Sequence, residues 1–249
     1  MPKYKALMLD LDGTTIPNRQ DGLPSQKVIE AVKKAQKIIS VCVATGRPMD
    51  QAKQILEVLQ IDKPVILLGG SQIIDGKSKE FIYERPLETD DVKTVLTALK
   101  PFNVKIVMDE KISKVDFTDS YQPKEVFNVF IKPLSANKAD EIANKISYIN
   151  TIAVHKIISW EPGKISINIS HSIATKQHAI YEVAKILRIE TSEIIGIGDG
   201  YNDFPLLMAC GLKVAMGNAV KEIKAIADYI APSVNEDGVA EVIEKFILK

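Results

Sequence analysis

Short apolar runs alternate along the chain with stretches whose apolar positions recur every three or four residues, the pattern of strands joined by helices in a parallel sheet. Ala6 to Leu9 reads as a buried strand. Ser25 can cap a helix running to Ile38, with Val28, Ile29, Val32 and Ala35 on one face. A second strand follows at Ile39 to Ala44. Pro48 suits the first turn of a helix that carries Ala52, Ile55, Leu56 and Leu59 inward. A third strand is expected at Val65 to Leu68. Gln72 to Ile74 and Phe81 to Tyr83 flank Asp75-Gly76-Lys77, which predicts a hairpin.

The rhythm then changes. Between residues 84 and 170, strand-like runs fall at Val104 to Met108, Val126 to Ile131, Ile152 to Ser159 and Ile165 to Ile169, with helical stretches near Thr89 to Leu99 and Ala136 to Ile149. This predicts an inserted α+β cap domain. The earlier alternation returns with a helix from Thr175 to Leu187, a strand at Glu193 to Ile197, a helix from Asp203 to Ala209 and a strand at Leu212 to Ala215. The fold class is therefore α/β: a Rossmann-like parallel-sheet core, discontinuous over 1–83 and 171–249, interrupted by the cap at 84–170. Hinges are expected near Tyr83 to Pro86 and Ser170 to Thr175.

Composition adds exclusions. Lys plus Arg and Asp plus Glu both total 32 in 249 residues, so no global field draws the chain to nucleic acid or to an anionic membrane. No run approaches the roughly eighteen apolar residues of a membrane span, and a cytoplasmic protein is expected. Segment 84–170 carries twelve residues of each sign, so it offers no strong field to steer a polyanion toward it. Cys42 and Cys210 lack metal-site spacing and read as reduced, packed thiols. His155, His171 and His178 read as surface or packing residues, and Trp160 as packing in the cap. Oligomeric state is left open.

The chemistry gathers at strand ends, where ligands of open α/β sheets collect. Asp10-Leu11-Asp12-Gly13-Thr14 follows the first strand, and Gly198-Asp199-Gly200-Tyr201-Asn202-Asp203 follows a late one. Asp10, Asp12 and Asp199 would then crowd one crevice. Two unit charges about 4 Å apart repel by roughly 4 kcal/mol at an effective dielectric near 20, so the cluster calls for a cation or a raised pKa. A hard, oxygen-liganded ion such as Mg²⁺ resolves the conflict. Thr45 adds a hydroxyl, the following helix N-terminus offers backbone N–H groups, and Lys176 adds a positive charge. Together they describe a phosphoryl-transfer site. Each piece has a plainer reading: Asp-Gly turns, a helix cap at Thr45, a solvated charge at Lys176, and caps at Asn202 and Asp203. Their occurrence together, in order and at element ends, favours the site.

Taken in order, these residues resemble the four motifs of the haloacid dehalogenase superfamily of aspartate-nucleophile phosphotransferases. The first motif, DxDGT, matches Asp10 to Thr14; the second ends in a Thr, matching Thr45; the third is Lys176; the fourth, GDGxND, matches Gly198 to Asp203. Thr45-Gly46-Arg47 and Ala215-Met216-Gly217-Asn218-Ala219, followed by Val220-Lys221 and Ala227-Asp228, are similar to the Cof-type phosphatases of subfamily IIB, whose cap lies between the second and third motifs. Two positions depart from that pattern. Gly69-Gly70-Ser71 stands where such proteins usually show Asn-Gly-Ala, and Gln177 follows Lys176 in place of Gly.

The resemblance implies a haloacid dehalogenase fold and a Mg²⁺-dependent phosphatase acting on a small metabolite such as a sugar phosphate. Asp10 would attack phosphorus to form an aspartyl-phosphate, and Asp12 would protonate the leaving alkoxide and then take a proton from water. Mg²⁺ would bind Asp10, Asp199 and the backbone carbonyl of Asp12. Thr45 and Lys176 would hold phosphate oxygens, Asn202 would donate to the phosphate, and Gly46 and Arg47 would shape or contact the substrate end. Asp203, behind them, would orient Lys176 or a water on the metal. A phosphomutase using the same acids, and a non-catalytic sensor of phosphorylated metabolites, are the alternatives the residues leave open.

Overall fold

The computed structural model describes residues 3–249 apart from 20, 112, 119 and 160, so Trp160 lies outside the described residues. The chain divides into two compact units, one comprising the residues up to Tyr83 together with Lys176–Lys249, the other Glu84–Thr175.

The first segment supplies β1 (Ala6–Leu9), α1 (Gln26–Ala35), β2 (Ser40–Ala44), α2 (Met49–Leu59), β3 (Val65–Leu67), β4 (Gln72–Ile74) and β5 (Phe81–Glu84). β1 is buried at every position, so it shows no alternation. The Ser25 hydroxyl accepts from the Val28 N–H at 3.2 Å, the expected cap of α1. The helix ends at Ala35 rather than Ile38 because Gln36 to Ile38 tighten into turns, with Ile38 and Ile39 both donating to the Ala35 carbonyl. Between β4 and β5 the loop runs from Asp75 to Glu80, longer than a two-residue turn. Asp75 Oδ1 accepts from the N–H groups of Lys77 and Ser78 at 2.9 and 2.7 Å. A Cβ on Gly76 would lie 2.2 Å from the Lys63 carbonyl oxygen, so only glycine fits there.

The second unit contains α3 (Thr89–Leu99), β6 (Ile106–Glu110), β7 (Lys114–Asp116), β8 (Val126–Leu134), α4 (Ala136–Ile146), β9 (Ile152–Ile158) and β10 (Ile165–His171). Its sheet order is β7-β6-β8-β10-β9, with antiparallel pairs throughout. Val92, Val95, Leu96 and Leu99 of α3 and Ala139, Ile142 and Ile146 of α4 share one apolar cluster with Ile106, Met108, Val129, Ile131, Ile167 and Ile169 of the sheet. β7 was not foreseen, since Val115 is its only apolar residue. The unit ends at Thr175, five residues past the sequence-based boundary. β10 continues through His171, and Ser172 and Ala174 donate back to Thr151 and His171 at 2.8 Å each.

The chain then returns with α5 (Lys176–Leu187), β11 (Ile194–Gly198), α6 (Phe204–Ala209), β12 (Leu212–Ala215), α7 (Lys221–Ile226), β13 (Tyr229–Ile230) and α8 (Gly238–Phe246). The core sheet has the order β13-β12-β11-β1-β2-β3-β4-β5. β13 to β3 run parallel, and β4 pairs antiparallel with β3. The order reverses beside β1, which lies between β11 and β2. Connections leave on opposite sides there and open a crevice at the carboxyl ends. Among the described residues no helix is long and apolar enough to cross a membrane.

Candidate active site

Asp10, Thr45 and Asp199 are each the first residue past a strand of the central trio β2-β1-β11, and Lys176 is the first residue of α5. In-register parallel pairing, with Leu9 opposite both Val43 and Ile197, brings those strand ends to one sheet edge. Backbone bonds fix the exits: Asp10 donates to the Ile197 carbonyl at 3.1 Å and Thr45 to that of Ile66 at 2.9 Å.

The charged groups form one knot. Lys176 Nζ donates to Asp10 Oδ1 and to Asp203 Oδ1, both at 2.6 Å, with all three residues buried. Asp203 Oδ2 accepts from the backbone N–H groups of Asp199 and Gly200 at 3.0 Å each. Thr14 Oγ1 donates to Asp199 Oδ1 at 3.0 Å, and Thr15 Oγ1 to the Asp10 carbonyl at 2.6 Å. Asn218 Nδ2 donates to the Gly13 carbonyl at 2.8 Å and to Asp199 Oδ2 at 3.3 Å, while its Oδ1 accepts from Val234 N–H at 2.8 Å. Gly13 adopts φ +81°, and a Cβ there would stand 2.3 Å from Asp199 Oδ2.

Three carboxylates against one ammonium leave excess negative charge in a largely buried site. Burial, then Asp203, raise the Asp10 pKa well above the usual carboxylate range; Lys176 opposes this and Asp199 adds to it. Asp199 is pushed up to about 7 by burial first and by the Asp203 charge second, against the Thr14 hydrogen bond and Lys176. Burial alone would lower the Lys176 pKa, but Asp10 and Asp203 outweigh it and hold the group charged.

This charge excess fits a hard cation. Asp10, Asp199 and Asp203 can each offer an oxygen, all within 4.8 Å of one another. Asp203 is bound on one oxygen by the Lys176 ammonium and on the other by two loop N–H groups, whereas among the described residues Asp199 is held only by the Thr14 hydroxyl and, at 3.3 Å, by the Asn218 amide, so Asp10 and Asp199 are the better placed carboxylates to face an ion. The carboxylate of Asp12 belongs to a different group. Arg47 grips it from two nitrogens, Nε to Oδ2 at 2.8 Å and Nη2 to Oδ1 at 2.6 Å.

Thr45 is fully buried, and its hydroxyl accepts from the Arg47 N–H at 3.1 Å. Gly46 is exposed, and a Cβ there would meet nothing within 4 Å. Asn202 is half-buried on the turn Tyr201–Asp203. Thr14, Thr15 and Asn218 were not among the site residues expected from sequence, although Thr14 lies in the DxDGT motif and Asn218 in the stretch similar to Cof-type proteins. Cys42 and Cys210 are buried, and burial pushes both thiols up to about 12, so they stay protonated.

The family model of the haloacid dehalogenase-like hydrolases matches residues 7–125 and 107–243. The chain belongs to that family. A haloacid dehalogenase superfamily phosphatase of this kind has relatives along its whole length. It is 26% identical to the 5-amino-6-(5-phospho-D-ribitylamino)uracil phosphatase YcsE of Bacillus subtilis, covering 98% of this chain and 96% of that protein. It is 25% identical to the phosphoglycolate phosphatase of Methanobrevibacter smithii, covering 98% of each. Among solved structures, a subclass IIB sugar phosphatase shares its fold with a TM-score of 0.81 and 24% identity, over 97% of this chain and 98% of that one.

Proposed function

We propose that this phosphatase is Mg²⁺-dependent and hydrolyses a small phosphorylated metabolite, a sugar phosphate or a close chemical analogue, through an aspartyl-phosphate on Asp10. The observation that carries this reading is the excess of negative charge around Asp10, beside a lysine already committed to two carboxylates. Asp10 and Asp199, with the backbone carbonyl of Asp12, would hold the ion. When bound, it would supply the charge neutralisation that lets a carboxylate approach a phosphate dianion.

Asp10 forms a bond to phosphorus as the bond to the substrate oxygen breaks, and Asp12 gives that oxygen its proton. Water then attacks the acyl phosphate, Asp12 takes a proton from it, and inorganic phosphate leaves with Asp10 restored. Lys176 sits against Asp10 and would hold a phosphate oxygen, as would the Thr45 hydroxyl; Asn202 would donate from the neighbouring turn. Asp203 would keep Lys176 and the Asp199 loop in place. The open space at Gly46 suits the substrate end of the site. The phosphatase names of the relatives and the sugar phosphatase fold support this substrate class.

The test is phosphate release from an aryl phosphate and from a panel of phosphorylated metabolites, with Mg²⁺ and with chelator. Release should require the ion and disappear in Asp10→Asn. Turnover that survives either treatment would rule the reading out.

A further inference from the structure

We propose that Arg47 is a positioning residue that aims Asp12 at the oxygen of the leaving group and makes no contact with substrate; the proposal rests on the phosphatase reading above. Its guanidinium takes Asp12 in a fork, with each carboxylate oxygen on a different nitrogen, at 2.8 and 2.6 Å. Such a fork fixes the plane of the carboxylate as well as its position. The same group is anchored on two further segments: Nη2 donates to the Arg19 carbonyl at 3.0 Å and Nη1 to the Gln51 carbonyl, in the first turn of α2, at 3.4 Å.

The backbone of Arg47 is held as well. Its N–H donates to Thr45 Oγ1 and its carbonyl accepts from Leu68 N–H at 3.2 Å. Exposure separates the two partners, since the Arg47 side chain is 6% exposed and that of Asp12 27%. The arginine is sealed and the carboxylate it holds is reachable. An arginine meant to grasp a ligand would present its donors outward, whereas at least four of the five N–H donors here are spent on protein oxygens. Asp12 sits in a turn in which the N–H groups of Thr14, Thr15 and Ile16 all donate to the Leu11 carbonyl, and a short side chain in a turn gains direction from such a partner. Proton transfer to a departing oxygen demands that direction, and a misplacement near 1 Å can cost about 100-fold in rate.

The experiment uses Arg47→Gln and Arg47→Lys in the full chain with Mg²⁺, on an alkyl phosphate and on 4-nitrophenyl phosphate. The expected result is a fall in kcat of about 100-fold on the alkyl ester with KM little changed. The loss should be smaller for phosphorylation by the nitrophenyl ester, because nitrophenolate leaves without a proton. The second step still needs Asp12 to take a proton from water. The variants should therefore accumulate phosphoprotein on the aryl substrate, detected in intact-mass spectra as one added phosphoryl group. In an Asp12→Asn background, Arg47→Gln should cost nothing more.

A rise in KM at unchanged kcat on the alkyl ester, equal losses of kcat/KM (which reports the phosphorylation step) on the two esters, or full additivity with Asp12→Asn would each overturn the proposal. Arg47→Lys keeps the buried charge and reads the effect of the fork if the Gln variant does not fold. A wild type that releases no phosphate, or an active Asp10→Asn, would instead defeat the phosphatase reading.

Discussion

Lys176 and Asp203 meet at 2.6 Å with both side chains almost wholly sealed, and the second oxygen of Asp203 ties down the N–H groups of Asp199 and Gly200. One carboxylate thus supports both the cation and the loop that bears another acid. Asp203→Ala removes a partner from a buried ion pair and leaves two N–H groups without their acceptor. It should lower stability by about 3 kcal/mol or more. Asp203→Asn keeps an acceptor and should fold better, yet lose about 10–100-fold in kcat/KM. Denaturant midpoints and kinetics on the same preparations check both parts.

Stability should depend on pH in opposite senses with and without Mg²⁺. The Asp199 pKa is raised to about 7 in the folded chain, against about 3.9 in an unfolded one. A raised acid pKa means that the native state binds the extra proton. Its stabilising contribution is complete below about pH 4 and is lost as pH rises through about 7. The raised Asp10 acts in the same direction. A cation must displace those protons, so the gain in Tm on adding Mg²⁺ should grow from pH 5 to pH 8. Melting curves with chelator and with Mg²⁺ across that range decide it; a Mg²⁺ gain largest at pH 5 would contradict the assignment.

Gly13→Ala tests a contact that glycine alone permits. The backbone there is left-handed, at φ +81°, and the added methyl would fall 2.3 Å from Asp199 Oδ2. The strain should cost about 1–3 kcal/mol, and relief by moving Asp199 should damage Mg²⁺ binding further. We expect weakened Mg²⁺ affinity in calorimetry and a lowered Tm, together.

Asn218→Ala should act from a distance in sequence. Its amide links the Gly13 carbonyl to Asp199, and its oxygen is held by Val234 N–H. Removing it frees the Asp199 carboxylate on one side and should reduce Mg²⁺ affinity about 10–100-fold with a small change in Tm. Titration of Mg²⁺ by activity and by calorimetry should agree.

The strands that carry these acids were readable because burial on both faces demands unbroken apolar runs, as in Ala6–Leu9 and Ile194–Gly198. β7 escaped notice because Lys114-Val115-Asp116 has a sheet neighbour on one side only and offers no apolar rhythm. The short helix Lys221–Ile226 and the two-residue strand Tyr229–Ile230 give too few periods to recognise. Candidate chemistry was visible wherever one residue type at one strand or helix end sufficed, as for Asp10, Asp199 and Lys176. Pairings across the fold were not: the Asn218 amide meets Gly13 across 205 residues, and the Arg47 fork on Asp12 depends on how two loops meet. The motif named those residues without stating which would hold which.

The pairing of β1 with β11 imposes an order on synthesis. β2 follows β1 out of the ribosome and covers one of its edges, but the other neighbour comes nearly two hundred residues later. Glu84–Thr175 has its own apolar cluster and can finish folding in that interval. Until Ile194–Gly198 arrives, a fully apolar strand stands with one bare edge, open to pairing with other chains. A nascent chain halted after Thr175 should therefore be a better target for chaperones than a complete one.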